Sequence, residues 1–219
     1  MKIKIFFTLL FTVCMLNSCN ANTQTYTIET TEGNIKVVLY EETPLHKANF
    51  EKLVDEKAYD GVLFHRIIEN FMIQTGDLST KPKAENDSLQ SQPPTEEELI
   101  PAEFVSEYFH KKGALAAARM GDHVNPEKKS SPTQFYIVQG TTYSGNQLKD
   151  LEDGTGKYWN NEKKEVYKTI GGTPFLDKDY TVFGEVVEGL DIVDKIAATP
   201  TGPGDYPLNE VRIITITKD

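Results

Sequence analysis

The stretch at residues 59–77 constrains the fold most, because two turn signals in it alternate with two short apolar runs. A turn at Asp60-Gly61 precedes a predicted strand at 62–68. A second turn, at Glu69-Asn70, precedes a predicted strand at 71–75. The stretch therefore predicts a pair of short strands joined by a tight turn.

Side chains alternate between the two faces of a strand. In the first predicted strand, Arg66 therefore shares a face with Phe64 and Ile68, and the second strand divides into two sets, Phe71, Ile73 and Thr75 against Met72 and Gln74. An arginine within an apolar strand is costly unless something receives its charge. From this strand alone, Arg66 is either a structural residue that reaches solvent or a carboxylate, or a functional one.

The stretch resembles the signature of the cyclophilin family of peptidyl-prolyl isomerases, Tyr-Asp-Gly-x-x-Phe-His-Arg-x-x-x-x-Phe-Met-x-Gln-x-Gly-Asp. Every specified position is present. The resemblance implies that Arg66, Phe71, Met72 and Gln74 line a site for proline. It further implies that Arg66 is catalytic and donates to the prolyl nitrogen, with Gln74 holding the guanidinium in place.

Two later segments resemble the family's walls for the residue before proline and for the proline ring. The small residues at 113–119 match the first wall, which places Ala118 and Arg119 at the site. Arg119 stands where eukaryotic members commonly have asparagine. The segment 130–138 matches the family's Ser-Gln-Phe-Phe run, which places Gln134 and Tyr136 at the site.

The segments 173–177 and 180–184 resemble the family's Trp-Leu-Asp and His-x-x-Phe-Gly runs. Leu176 matches a pocket leucine. Phe175 replaces the tryptophan of eukaryotic members and Tyr180 replaces their histidine. Because both replacements keep an aromatic ring, the resemblance implies that the pocket is retained.

Short β-rich runs and two separated helical patterns determine the predicted fold class. Strands are predicted at 26–31, 34–40 and 211–217, and helices at 46–57 and 188–198. We predict a mainly β fold, a closed antiparallel β-barrel capped by two α-helices, which would remove sheet edges. The resemblance to cyclophilins covers about residues 25–218 and implies the same architecture.

Two long polar segments, 78–100 and 141–172, interrupt the resemblance within one predicted domain at 25–219. The first is predicted to be a surface loop whose glutamates at 96–98 are solvated or, alternatively, rim the site and repel acidic peptides. The second contains Trp159, the only tryptophan, and is predicted to be a partly helical surface excursion. An exposed Trp159 would instead indicate a partner site.

The N-terminus predicts export. Lys2 and Lys4 precede an apolar run at 5–16, which is shorter than the ~20 residues of a spanning helix and is typical of a signal peptide. The last residues before Cys19 resemble a bacterial lipobox. We therefore predict a signal peptide at 1–18, lipidation of Cys19 and a tether at 19–24. Cleavage by the ordinary signal peptidase remains the alternative.

These assignments predict a protein of the cell envelope, held to the lipid bilayer by an N-terminal acyl anchor. No acidic cluster follows Cys19, and by resemblance to lipoprotein sorting signals this favours the periplasmic face of the outer membrane. We expect a monomer that binds proline-containing segments of exported proteins.

Several function classes are not supported by the residues present. The net charge of −10 argues against nucleic-acid binding. The four histidines show no metal-ligand spacing, and neither a GxSxG elbow nor a phosphate loop is found, so we expect no cofactor or metal. Two functions remain: a peptidyl-prolyl isomerase acting on exported proteins, or a non-catalytic proline-peptide binding module or holdase.

Overall fold

The computed structural model describes residues 24–82 and 94–219. The strands in this part of the chain are β1 Thr25–Thr30, β2 Gly33–Leu39, β3 Arg66–Ile68, β4 Met72–Thr75, β5 Ala114–Ala117, β6 Phe135–Val138, β7 Val182–Glu188 and β8 Ile213–Lys218. The α-helices are α1 Pro44–Asp55, α2 Gly145–Thr155, α3 Asn161–Thr169 and α4 Leu190–Ala197. The predicted signal peptide, Cys19 and residues 83–93 of the first long loop lie outside the described residues.

The eight strands form one antiparallel sheet in the order β3-β4-β6-β5-β7-β2-β1-β8. This sheet is a strongly curled half-barrel, so the predicted closed barrel is correct only in part. The edge strands β3 and β8 do not pair along their lengths. The segment before β3 instead meets the start of β8 and the residues before it. The contacts are the Leu63–Arg212 bridge, hydrogen bonds of 2.9 Å from the Gly61 amide to the Ile213 carbonyl and from the Phe64 amide to the Val211 carbonyl, and one of 2.8 Å from the Ile213 amide to the Val62 carbonyl.

The two predicted capping helices are confirmed and pack against the sheet. α1 contributes Phe50, Leu53 and Val54 to the main core, and α4 contributes Val193, Ile196 and Ala197. The prediction of two helices omitted α2 and α3, which lie in the 141–172 insertion, so the described chain has four. No helix within the described residues is long and apolar enough to span a membrane.

A distant carboxylate caps the N-terminus of α1. The Thr43 side chain, at the usual capping position, makes no capping hydrogen bond. Glu103 instead accepts from the backbone amides of Leu45 and His46, each at 3.0 Å, and contacts the His46 ring nitrogen Nδ1 at 2.7 Å. Burial lowers the pKa of His46 and outweighs the opposing effect of Glu103, so at pH 7 the ring is neutral and donates a hydrogen bond from Nδ1 to the carboxylate.

Replacing Glu103 with glutamine should lower the free energy of unfolding by about 1–2 kcal/mol, because a neutral amide with one acceptor oxygen cannot serve both helix amides. Urea denaturation measures the change. Glu107→Gln is the matched control, since Glu107 is exposed and accepts its hydrogen bond from the neighbouring Ser106. Equal stability losses in the two variants would contradict the capping role.

Candidate active site

A cavity of about 90 Å³ opens on the face of the sheet opposite the main core. Register assembles its floor: Arg66 lies opposite Gln74, and Gln74 lies opposite Tyr136. Directly opposed residues in neighbouring strands point to the same face. The cavity is lined by Arg66, Phe71, Met72, Gln74, Ala118, Arg119, Tyr136, Leu176 and Tyr180.

The two remaining predicted site residues lie beside this cavity without lining it. Gln134 accepts a hydrogen bond of 3.0 Å from the Gln74 side-chain amide. The Phe175 ring is 37% exposed and lies 5.7 Å from the Phe71 ring, centroid to centroid, at the rim. Residues widely separated in sequence therefore meet at one place. Cys19, the predicted lipidation site, lies outside the described residues.

The predicted distribution of side chains between strand faces was wrong at two positions. Phe64 precedes β3, which starts at Arg66, and is fully buried in the main core with Ile67. Phe71 also precedes its strand, β4. It follows Asn70, whose φ of 63° ends the turn, and it joins Met72 at the cavity instead of Ile73 in the core. Both strands are shorter than predicted, so strict alternation does not extend to these residues.

The Arg66 guanidinium is anchored at one nitrogen. Its Nε donates to Asp205 Oδ2 at 3.1 Å, and the Arg66 side chain remains 41% exposed. Its two terminal nitrogens make no hydrogen bond to any of the described residues. The Gln74 amide, expected to hold the guanidinium, donates to Gln134 instead. The anchored group can therefore donate from its free end into the cavity.

Sequence reasoning missed Asp205. This residue lies in the turn Pro203–Asp205, at a φ of 61°, and is 139 residues from Arg66 along the chain. A run of prolines and glycines around it indicates a turn but not what the turn contacts. No local signal could have identified the partner.

If the site has the isomerase activity that the resemblance implies, replacing Asp205 with asparagine should lower kcat/KM on a proline peptide by less than about tenfold. Asparagine tolerates the left-handed backbone of this turn, and the half-exposed ion pair is worth about 0–1 kcal/mol. The guanidinium would lose orientation but keep its charge and its free donors. A coupled isomerisation assay and a thermal melt check both expectations. A loss above a hundredfold would show that the carboxylate itself is essential.

Arg119 forms one wall of the cavity and is held by its own hydrogen bonds. Its Nε donates to the Asp179 carbonyl at 2.6 Å and its Nη1 to the Met120 carbonyl at 2.8 Å. The guanidinium carbon lies 4.5 Å from the Tyr180 ring centroid, a cation–π contact. Arg119 thus fixes the Tyr180 ring at the cavity.

A buried hydrogen-bond network lies behind Tyr136, whose ring is next to that of Tyr180 at 5.9 Å between centroids. The Tyr136 hydroxyl is 3.0 Å from Nε2 of His110, and Nδ1 of His110 is 2.8 Å from Asp177 Oδ1. Asp177 Oδ2 accepts from the Trp159 indole and from the Tyr167 hydroxyl, each at 2.7 Å. Burial alone would raise the pKa of Asp177, but hydrogen bonds from His110 and Tyr167 outweigh it and hold that pKa below its usual range.

This network orients the His110 ring through both of its nitrogens. An ionised carboxylate only accepts hydrogen bonds, so Nδ1 of His110 carries a proton. Burial raises the pKa of Tyr136 well above its usual range, so its hydroxyl stays protonated and can donate to Nε2. His110 was considered only as one of four histidines without metal-ligand spacing, and no role was predicted for Asp177.

The 141–172 insertion is a helical surface excursion, as predicted. α2 and α3 enclose a small cluster of Leu148, Trp159 and Tyr167. Trp159 is only 6% exposed. The exposed tryptophan that would have indicated a partner site is therefore not found.

The described end of the 78–100 loop reaches the site. Glu98 lines a second cavity, of about 620 Å³, that shares Gln74, Ala118 and Arg119 with the first. One glutamate of the acidic triplet therefore lies at the rim. Repulsion of acidic peptides remains a prediction.

The chain matches the family model described as cyclophilin type peptidyl-prolyl cis-trans isomerase/CLD over residues 25–218. It is 34% identical over 198 residues to a protein of Staphylococcus saprophyticus assigned as a peptidyl-prolyl cis-trans isomerase, covering 90% of this chain and 92% of that one. A Streptococcus pyogenes relative, assigned as a bifunctional phosphatase/peptidyl-prolyl cis-trans isomerase, is 37% identical over 193 residues. These are 87% of this chain and 37% of the relative.

Among solved structures, the chain is similar to a cyclophilin type peptidyl-prolyl cis-trans isomerase of Cryptosporidium parvum. The TM-score is 0.65 at 20% identity, and the match covers 90% of this chain and 97% of the other. The structure of that protein in the presence of the dipeptide Ala-Pro gives a TM-score of 0.64 at the same identity, covering 90% and 99%. At this identity the likeness concerns the fold.

Proposed function

Because the chain belongs to the cyclophilin family of peptidyl-prolyl cis-trans isomerases, we propose that it isomerises X-Pro bonds in exported proteins, with Arg66 as the catalytic residue. The observation that carries this proposal is the anchored guanidinium. Nε of Arg66 is held by Asp205, while its terminal nitrogens, which bond to none of the described residues, lie at a cavity walled in part by Phe71, Met72 and Leu176.

The reaction requires rotation about a bond with partial double-bond character. Amide resonance sets the barrier at ~18–20 kcal/mol, and uncatalysed X-Pro exchange takes roughly tens to hundreds of seconds. Twisting the C–N bond breaks this resonance and leaves a lone pair on the prolyl nitrogen. A terminal N–H of Arg66 then donates to that nitrogen, a contact that strengthens only as the transition state forms.

The apolar walls contribute in a second way. The planar amide is more charge-separated than the twisted one, so an environment poor in water favours the twisted form. Phe71, Met72, Tyr136 and Leu176 supply such an environment around the proline ring. No proton transfer, nucleophile or cofactor is needed in this mechanism.

Magnitudes show why the walls are required. An acceleration of six decades needs about 8 kcal/mol of transition-state stabilisation. One hydrogen bond from a charged donor contributes about 1.5–3 kcal/mol. Desolvation and orientation of the flanking peptide, along Ala118, Arg119 and Gln134, supply the rest. A protease-coupled assay on a proline tetrapeptide tests the activity, and a rate equal to that of the peptide alone would contradict it.

We further propose that the protein is a monomer and that acylated Cys19 tethers it to the periplasmic face of the outer membrane. Lys2, Lys4, the apolar run at 5–16 and the lipobox-like residues before Cys19 support this, as does a domain that starts at Thr25. Labelling with a radioactive fatty acid, followed by fractionation of the envelope, tests it. Loss of label and of membrane association in Cys19→Ala is expected; a wild-type protein that is unlabelled would contradict the anchor.

A further inference from the structure

The 141–172 insertion and the proline cavity meet at one buried carboxylate, that of Asp177, which is only 5% exposed. From the insertion, the Trp159 indole and the Tyr167 hydroxyl donate to Oδ2. From the cavity side, the backbone amide and Nδ1 of His110 donate to Oδ1, each at 2.8 Å. Each oxygen thus has two donors, and the two sets come from different parts of the fold.

We propose that Asp177 and His110 are positioning residues, and that the insertion acts through them to hold the Tyr136 wall of the proline site. This role rests on the proposed function of that site. It gives the insertion a purpose in the reaction: its helices fix the carboxylate, the carboxylate fixes the His110 ring, and the ring holds the Tyr136 hydroxyl.

The hydrogen bonds that run from Trp159 and Tyr167 through Asp177 and His110 to Tyr136 are called the relay below. The need for it follows from the burial of Tyr136, which is 4% exposed. A buried hydroxyl requires a hydrogen-bond partner. With Nε2 of His110 in place, the hydroxyl is directed away from the proline ring and the ring face remains apolar. Without it, the hydroxyl would have to turn towards the cavity, where it would add polarity beside the twisting amide.

A second wall depends on the same residue. Leu176 lies in the turn Pro174–Leu176, and the backbone amide of Asp177 closes that turn by donating to the Pro174 carbonyl at 3.1 Å. Leu176 lines the cavity next to Tyr136. Movement of Asp177 would therefore displace both Leu176 and Tyr136 at the cavity.

A double-mutant cycle between Tyr167 and Tyr136 tests the relay, because their hydroxyls bind its two ends and not each other. In the full-length wild-type background, Tyr167→Phe is expected to lower kcat/KM on a proline peptide by about fivefold, the size of coupling found within one hydrogen-bond network. The change should appear mainly as a higher KM with kcat little altered, since the wall contacts the proline ring in the ground state and in the transition state alike. In the Tyr136→Phe background, the same change should cost less than about twofold, because no hydroxyl remains to be held.

Tyr143→Phe is the matched control. The Tyr143 ring packs against Tyr167 at 6.5 Å, but its hydroxyl makes no hydrogen bond to the described residues, so the change should leave kcat/KM unaltered. Trp159→Phe provides a second arm, since it removes a different donor from the same oxygen and should repeat the result for Tyr167→Phe. Circular dichroism melts of every variant verify folding.

Background-dependent losses with an unaffected control support the relay. Equal losses from Tyr167→Phe in both backgrounds, or no loss in either, would overturn this inference alone and leave the isomerase mechanism standing. A folded wild-type protein without isomerase activity would overturn the proposed function and the relay with it.

Discussion

Replacing Arg66 with alanine is expected to lower kcat/KM on a proline peptide by about 10²–10³-fold, the usual loss when one preorganised transition-state donor is removed. Arg66 is a charged donor at the cavity whose two terminal nitrogens make no hydrogen bond to the described residues, whereas Arg119 is held at both Nε and Nη1. The fall should appear in kcat, because the prolyl nitrogen accepts a hydrogen bond only once the amide has twisted.

Stability should change little in this variant. The Arg66–Asp205 pair is about two-fifths exposed on both sides, and pairs of this kind contribute about 0–1 kcal/mol. Arg66→Lys serves as the conservative comparison. It keeps the charge, but a single ammonium cannot bind Asp205 and the substrate through separate nitrogens as the guanidinium does, so an intermediate loss is expected. Equal losses in Arg66→Ala and Asp205→Asn would show that only the ion pair matters.

The second large effect concerns stability. Asp177→Asn is expected to lower the free energy of unfolding by about 3–5 kcal/mol, as breaking one side of a buried charged network does. Three side-chain donors point at this carboxylate, from His110, Trp159 and Tyr167. The NH₂ group of a neutral asparagine amide would have to face either the His110 donor or the Trp159 and Tyr167 donors, so at least one hydrogen-bond donor would be left facing another donor. Urea unfolding at pH 7 measures the change.

Asp153→Asn is the control for this change, because Asp153 lies in the same insertion but is exposed and pairs only with Lys149 one turn away. It should cost well under about 1 kcal/mol. Similar losses in both variants would contradict the central place of Asp177.

The pH dependence follows from the lowered pKa of Asp177. A group whose pKa is lower in the folded state than in the unfolded state stabilises the fold above its unfolded pKa, about 3.9 for aspartate. That contribution is lost as the pH falls below this value and through the folded pKa. The difference in stability between wild type and Asp177→Asn should therefore be constant near neutrality and narrow below about pH 4.

Much of the site could be predicted because its residues are close in sequence or set by strand register. Arg66 and Gln74 lie on adjoining strands of one hairpin, and the small residues that form β5 belong to the segment 113–119, which matched a family segment beside the site. The roles of those residues still came from resemblance to a family, since an arginine in a strand has two physical explanations. Which explanation applies depends on what surrounds it in the fold.

The rest depended on contacts between distant parts of the chain. Asp205 reaches Arg66 across 139 residues, and Trp159 reaches Asp177 from an insertion that matched no motif. The strand ends were also predicted wrongly. The sequence pattern extends the alternation of side chains between the two strand faces through Asn70 and the residues before Arg66, where the chain leaves the strand conformation. The prediction of a closed barrel is correct only in part, because β3 has only three residues and β8 meets just the segment that precedes it.

Exchange spectroscopy by NMR on a proline peptide, with and without the purified protein, tests the central claim most directly, because it observes binding and isomerisation in one experiment. Catalysis predicts cis–trans exchange cross-peaks within a sub-second mixing time at substoichiometric protein, where the free peptide exchanges over roughly tens of seconds. Arg66→Ala should still shift the peptide resonances but lose the cross-peaks. Wild-type protein that binds the peptide while exchange stays as slow as in the free peptide would contradict the account and identify a binding module instead.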